Sequence, residues 1–435
     1  MPNSVSNTAP PVCDASLIGP LLRRIKMLDV IVFLIPATQF FELKIVGRLF
    51  FSDMLLALIL PVLLVDYGQR LRARLPMIFI SFALLWFFAQ VATDIVRVTV
   101  FSDYVRGWAK IGFTLINFCA LYLLLYGHQH RLTVYAVGLA TGGLISCFVN
   151  PSLYAADYPW KFGYGAPITW FLIILAARII SHRRKGPYFA SGILVGAAAL
   201  NIFMGFRSLG GICFLTASYM FVQAEWGARL ASVSTRPRQA FLIGLVLVVS
   251  GVAVFKMYDY SARYGLLGKD AQEKYETQAS GEFGLLFGGR SEVLVSSRAI
   301  LDSPFLGHGS WAKDDQYSSL LIELRRQAGY VGGVYNEEDL IPTHSHLLGA
   351  WVEAGLLGAI FWAWVLSLPV RVLLRPNREI DSVTPLAAFV AFLLIWDIFF
   401  SPYGAGLRFI TPYYVVFMMT CLGWGCRTFT TRVNR

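Results

Sequence analysis

The chain is poor in charge. Only 14% of its 435 residues are Asp, Glu, Lys or Arg, whereas 56% are hydrophobic, with 33 Phe, 20 Tyr and 11 Trp among them. No soluble core can absorb that much apolar surface, so a water-soluble globular protein is excluded and an integral membrane protein is expected. Strand-like alternation of the kind a membrane barrel needs is missing, as are heptads, internal repeats and low-complexity tracts. The six cysteines, Cys13, Cys119, Cys147, Cys213, Cys421 and Cys426, form no CxxC pair and read as small buried apolar residues. The first 22 residues lack the basic start and cleavage site of a secretory signal, so the first span is expected to remain as an uncleaved anchor. Charged residues within apolar stretches are sparse: Asp29, Lys110, Arg178 and Asp397 stand near the ends of their segments, without the buried acidic chain of a proton-coupled transporter.

What is abundant is apolar runs of spanning length. Twelve segments, at about 27–43, 51–67, 76–93, 104–126, 132–149, 165–181, 188–204, 208–226, 239–257, 346–369, 384–400 and 409–426, each suffice to cross a hydrocarbon layer of about 30 Å as a helix. The fold class expected is therefore an all-α integral membrane protein of about 12 transmembrane helices. Short connections on one face, together with the termini, collect 20 of the 37 basic residues, among them Arg70, Arg72, Arg74, Arg131, Arg371 and Arg375. The opposite face has only a few, such as Lys44, Arg48, Arg97, Lys161 and Arg408. That asymmetry puts both termini in the cytoplasm and makes the net charge of +11 a topology signal; it suggests no nucleic-acid role.

One connection differs from the rest. Residues 258–343, between the ninth and tenth segments, hold 13 of the 26 acidic residues and face away from the cytoplasm by the charge rule. A loop that long is a domain or a functional element. Three domains follow: helices one to nine over 1–257, the loop domain over 258–343, and helices ten to twelve over 344–435. Within the loop, RSEVLVSSRAILD (290–302) and DDQYSSLLIELRRQA (314–328) carry helical periodicity, and PFLGHG (304–309) reads as a tight turn holding His308.

Three places on this outer face combine titratable groups with the membrane boundary. In MGFRSLGG (204–211), Arg207 stands on a short hairpin at the start of a helix, where free amides also favour anions; it could clamp a phosphate or snorkel to lipid headgroups. In FGGRSEVLV (287–295), Arg290 follows two glycines and opens a helix, either to grip an anion or to pair with Glu292 or another loop carboxylate. In THSHLLGAWVEAGLLG (343–358), His344 and His346 open the tenth segment as a general base or as helix-start structural residues. A metal is the rival for a His-x-His pair, with Glu337, Glu338 and Asp339 upstream, but rings two residues apart diverge by roughly 200° on a helix. Further candidates for substrate contact are His346, Arg263 and Arg298, with Lys269, Lys313, Arg325 and Arg326; Trp311, Tyr317, Tyr330 and Tyr335 could stack on sugars or pack the loop helices.

Taken in order, these features resemble the O-antigen ligase and polymerase family. The resemblance rests on the Arg-Ser turn before segment eight, GGR in the long loop, the Ile-x-x-x-Pro-x-x-Gly-x-Gly pattern of AILDSPFLGHG, and a histidine nine residues before Glu-x-Gly; GRLFFSDMLLALIL (47–60) adds to it. Counting back from Glu353 selects His344 as the match to the family's functional histidine; Ser345 stands where the family commonly has Asn. The resemblance implies a GT-C type fold, a glycan donor on undecaprenyl diphosphate, inversion at the anomeric carbon and no metal or other cofactor. It further implies Arg207 and Arg290 on the donor diphosphate, with His344 activating the acceptor hydroxyl. For a ligase the acceptor is lipid A-core; for a polymerase it is another lipid-linked repeat unit. Either enzyme belongs in the bacterial inner membrane with its site on the periplasmic side, among membrane lipids. A twelve-span transporter or flippase is the reading from another class, and it would need polar mid-membrane linings.

Overall fold

The computed structural model describes residues 18–182, 186–232, 236–265, 272, 275, 276, 291–327, 339–375 and 380–433. Arg290, Lys269, Tyr330, Tyr335, Glu337 and Glu338 lie outside them. Each of the twelve apolar segments contains helix. In chain order these are α1 (Ile18–Ala37), α2 (Phe51–Tyr67), α3 (Arg74–Arg97), α4 (Phe101–Leu125), α5 (Gln129–Val149), α6 (Gly165–His182), α7 (Gly186–Phe203), α8 (Arg207–Ser232) and α9 (Arg236–Arg263). The loop domain supplies α10 (Ser291–Asp302) and α11 (Asp315–Gln327), followed by α12 (His346–Ala354), α13 (Leu356–Leu373), α14 (Thr384–Phe400) and α15 (Ile410–Val433). Among the described residues, eight helical stretches are long and apolar enough to cross a membrane, and two shorter apolar helices join them. The protein is a helical membrane protein.

Two local departures from the sequence reading have physical causes. The first expected segment, 27–43, stops being helical at Ala37, and residues 42–50 instead form a β-hairpin, β1 (Glu42–Lys44) and β2 (Arg48–Phe50). Arg48 Nε bonds Glu42 Oε2 at 2.6 Å across it, so two charged residues that would be costly inside a bilayer satisfy each other at the chain reversal. The second departure is that segment 346–369 is two helices broken at Gly355, described below.

The core is aromatic and centres on α4 and α15. Phe79 of α3 stacks on Phe118 of α4 at 3.8 Å, Trp86 of α3 on Phe361 of α13 at 4.9 Å, and Tyr135 of α5 on Tyr413 of α15 at 4.5 Å. One ion pair is sealed inside: Arg408 Nη2 lies 2.7 Å from Asp53 Oδ2 of α2, whose other oxygen accepts from Asn117 Nδ2 at 2.7 Å. The same guanidinium donates to Arg48 O at 2.7 Å, tying the hairpin to the segment before α15. Arg408, expected in an open loop, is thus a buried brace, and its exposure is only 4%.

The bundle has two distinct ends. One gathers the hairpin, the α3–α4 turn, residues 401–408 and the loop helices; Arg106 donates to Val46 O at 2.6 Å there and Lys313 pairs with Asp103 at 3.4 Å. The other carries Arg131 donating to Leu124 O and Arg375 donating to Leu422 O, both at 2.9 Å, with Arg70 over Tyr67. Of these, Arg131 closes the C-terminus of α4, where exposed carbonyls favour cations.

Candidate functional site

The loop domain has its own small core, built from Val295, Ala299 and Ile300 of α10, Tyr317 and Leu321 of α11, Ile341, and Val352 of α12. α12 therefore belongs to two bodies: Val352 faces the loop helices, while Ala350 and Ala354 face the membrane core. Tyr317 OH donates to Asp302 Oδ2 at 2.8 Å, and burial together with that carboxylate pushes the phenol up to about 12.

The break after α12 has a definite origin. Gly355 takes φ 68° and ψ −159°, a backbone region open essentially to glycine alone. An unbroken helix would pair Val352 O and Glu353 O with the amides four residues on. Here the PFLGHG turn supplies the donors: His308 N reaches Val352 O at 2.7 Å and Gly309 N reaches Glu353 O at 3.0 Å. Trp351 Nε1 returns a bond to Pro304 O at 2.8 Å. His308 itself is a turn residue, its Nε2 donating to Ala299 O at 2.8 Å.

Beneath the turn lies a polar cluster contributed by α3 and α4. Asp94 accepts from Ser310 N and Ser310 Oγ, each at 2.7 Å, from Thr99 Oγ1 and from Trp108 Nε1. Gly107 makes room for it, since a β-carbon there would fall 1.9 Å from Ser310 Oγ. Lys110 forms an enclosed ion pair with Glu353 and sits 5.1 Å above the Trp311 ring. Sequence reasoning used Glu353 only as a spacing mark and left Lys110 near a helix end; their pairing joins residues 243 apart in the chain and no local pattern announces it.

The N-terminus of α12 is fixed to α14. Pro402 has no N–H to offer Ile398 O, so that carbonyl is left free at the end of α14. Ser345 Oγ donates to it at 2.7 Å while accepting from Leu348 N at 3.0 Å, serving as the N-cap of α12. His346 Nδ1 donates to Ser401 O at 2.6 Å. Its ring is fully buried, 4.8 Å from Trp362 and 4.9 Å from Tyr403. The expectation that His346 contacts substrate is corrected on that ground, in favour of its first-turn structural alternative.

His344, by contrast, is exposed, one residue outside the N-cap. One ring open and one enclosed do not present themselves to a common ligand. Arg207 is half-buried at the first position of α8, after a turn in which Gly205 takes φ 79° and Phe206 N bonds Asn201 O at 2.7 Å. α8 packs on α14, with Tyr219 and Phe392 in edge contact, so chain alternation brings Arg207 in at the end where α14 leaves. The remaining cations are engaged within the protein: Arg298 with Asp302 at 3.3 Å, Arg263 with Tyr275 OH at 3.3 Å, and Arg325 with Glu292 at 2.5 Å. Glu292, considered as a partner for Arg290, is thus held by Arg325.

Comparison with protein families, with curated proteins and with solved structures finds no match for this chain.

Proposed function

We propose that the protein is a glycosyltransferase of the O-antigen ligase type, with the twelve helical segments as spans of the bacterial inner membrane and both termini in the cytoplasm. The observation that carries this reading is His344: an exposed imidazole just outside a nine-residue helix that is anchored to the bundle at both of its ends. A base must stand open to substrate and still be held in place. The reaction joins an undecaprenyl-diphosphate-linked glycan to a sugar hydroxyl of lipid A-core. The acceptor oxygen attacks the anomeric carbon from the face opposite the diphosphate, His344 takes its proton, and the C–O bond to phosphate breaks with inversion. The electron pair leaves on the diphosphate, where Arg207 and Arg290 stabilise the growing charge. The imidazolium then returns its proton to solvent.

Deletion of the gene followed by surface-polysaccharide gels tests this. Bare core with long chains retained on the carrier lipid is expected, and neither His344→Ala nor Arg290→Ala should restore the ladder. Core bearing a single repeat would instead make the protein a polymerase, and a normal ladder from both variants would remove these residues from the site.

A further inference from the structure

We infer that His346 is the positioning residue for His344, an inference that rests on the reading of His344 as the acceptor-activating base. The two are separated by one residue, and the bonds that tie Ser345 and His346 to the rest of the bundle run to the end of α14. Because Ser401 O can only accept, the Nδ1 of His346 carries the proton and the bond has one sense. Its receiving end is itself held: Ser401 N bonds Asp397 O at 3.1 Å and Ser401 Oγ donates to Asp397 Oδ1 at 2.7 Å. The ring cannot turn to release the bond, since Trp362 and Tyr403 flank it and Tyr403 OH shares a 2.6 Å hydrogen bond with Thr114 Oγ1.

This arrangement separates two tasks within one His-Ser-His triplet. A base on an unrestrained loop samples many orientations, and misplacement by about 1 Å costs on the order of 100-fold in rate. Ser345 fixes the helix start, and His346 fixes the rotation of the first turn against the bundle, so the exposed His344 leaves that turn in one direction. The pin needs only the Nδ1–H of His346. Its Nε2 has no hydrogen-bond partner among the described residues and is not used.

That asymmetry gives the test. The amide nitrogen of Asn lies where Nδ1 lies in histidine, and that of Gln lies where Nε2 lies. In the full chain reconstituted in lipid, His346→Gln should lower kcat for glycan transfer on the order of 100-fold with the donor KM within about twofold, whereas His346→Asn should restore most of kcat. A spin label on His344→Cys reports the pin without any chemistry: its spectrum should sharpen in the His346→Gln background and stay broad with His346→Asn. Equal kcat and equal line shapes for Asn and Gln would overturn the inference, as would a loss confined to KM, which would put His346 against substrate. A wild-type protein that transfers no glycan but shows the expected line shapes would sink the transferase reading and leave the pin standing.

Discussion

The carbonyl oxygen of Phe305 lies 2.0 Å from where a β-carbon on Gly355 would stand. Gly355 therefore meets two demands at once, a φ of 68° and a backbone pressed against it from the loop domain. Gly355→Ala should cost about 3 kcal/mol or more, combining backbone strain with forced displacement of the PFLGHG turn. Thermal unfolding of the purified protein measures it; a variant within 1 °C of wild type would mean the turn is not packed as described.

Lys110 and Glu353 define a second prediction. Removal of either charge leaves the other enclosed and unpaired, which costs about 3–5 kcal/mol, whereas replacing both with neutral residues of similar volume is close to neutral. The side chains are 7% and 16% exposed, so solvent rescues neither. Lys110→Met and Glu353→Gln should each unfold at markedly lower temperature than the double variant. Simple addition of the two losses in the double variant would show that the pair is not coupled.

Ser345 bonds in two directions, to Leu348 N and to Ile398 O. Ser345→Ala should destabilise by about 2 kcal/mol, the sum of a lost cap and a carbonyl left without a donor. Ser345→Asn should retain most of the stability, because an amide can both cap and donate; denaturation midpoints of the two variants, compared side by side, decide the matter.

A pH dependence follows from Tyr317. Its folded value near 12 lies above the ordinary phenol, since burial and the Asp302 carboxylate both disfavour the phenolate. A raised value means that its contribution to stability is complete below pH about 10 and is lost as pH rises through 12. Tyr317→Phe should flatten the alkaline fall in stability between pH 10 and 12; an unchanged fall would assign it to other groups.

The helical framework was largely legible in the sequence because runs of about twenty apolar residues leave a chain in lipid little choice but helix. What escaped was set by partners far away in sequence. LLGAWVEAGLLGAIFWAW reads as one uninterrupted segment, and nothing within it shows that residues 305–309 will replace its hydrogen bonds at Gly355. Arg408 looked like an outer-face loop cation until Asp53, 355 residues earlier, turned out to face it. At the candidate site, the nine-residue spacing to Glu353 singled out His344, and it is His344 that is exposed while His346 is enclosed. The partners of Arg263 and Arg298 were not legible either, because a basic residue in a loop carries no local mark of the Tyr275 or Asp302 that engages it.

The shared core of the loop domain has a consequence for synthesis. Val295, Ile300, Tyr317 and Leu321 leave the ribosome before Val352, the residue of α12 that closes their cluster. The loop helices must wait, with one apolar side uncovered, until the tenth apolar segment has been made and delivered. The domain thus ripens late and by permission of the membrane bundle, so a chain stalled before α12 would display an unfinished loop domain to whatever quality-control machinery surveys that side of the membrane.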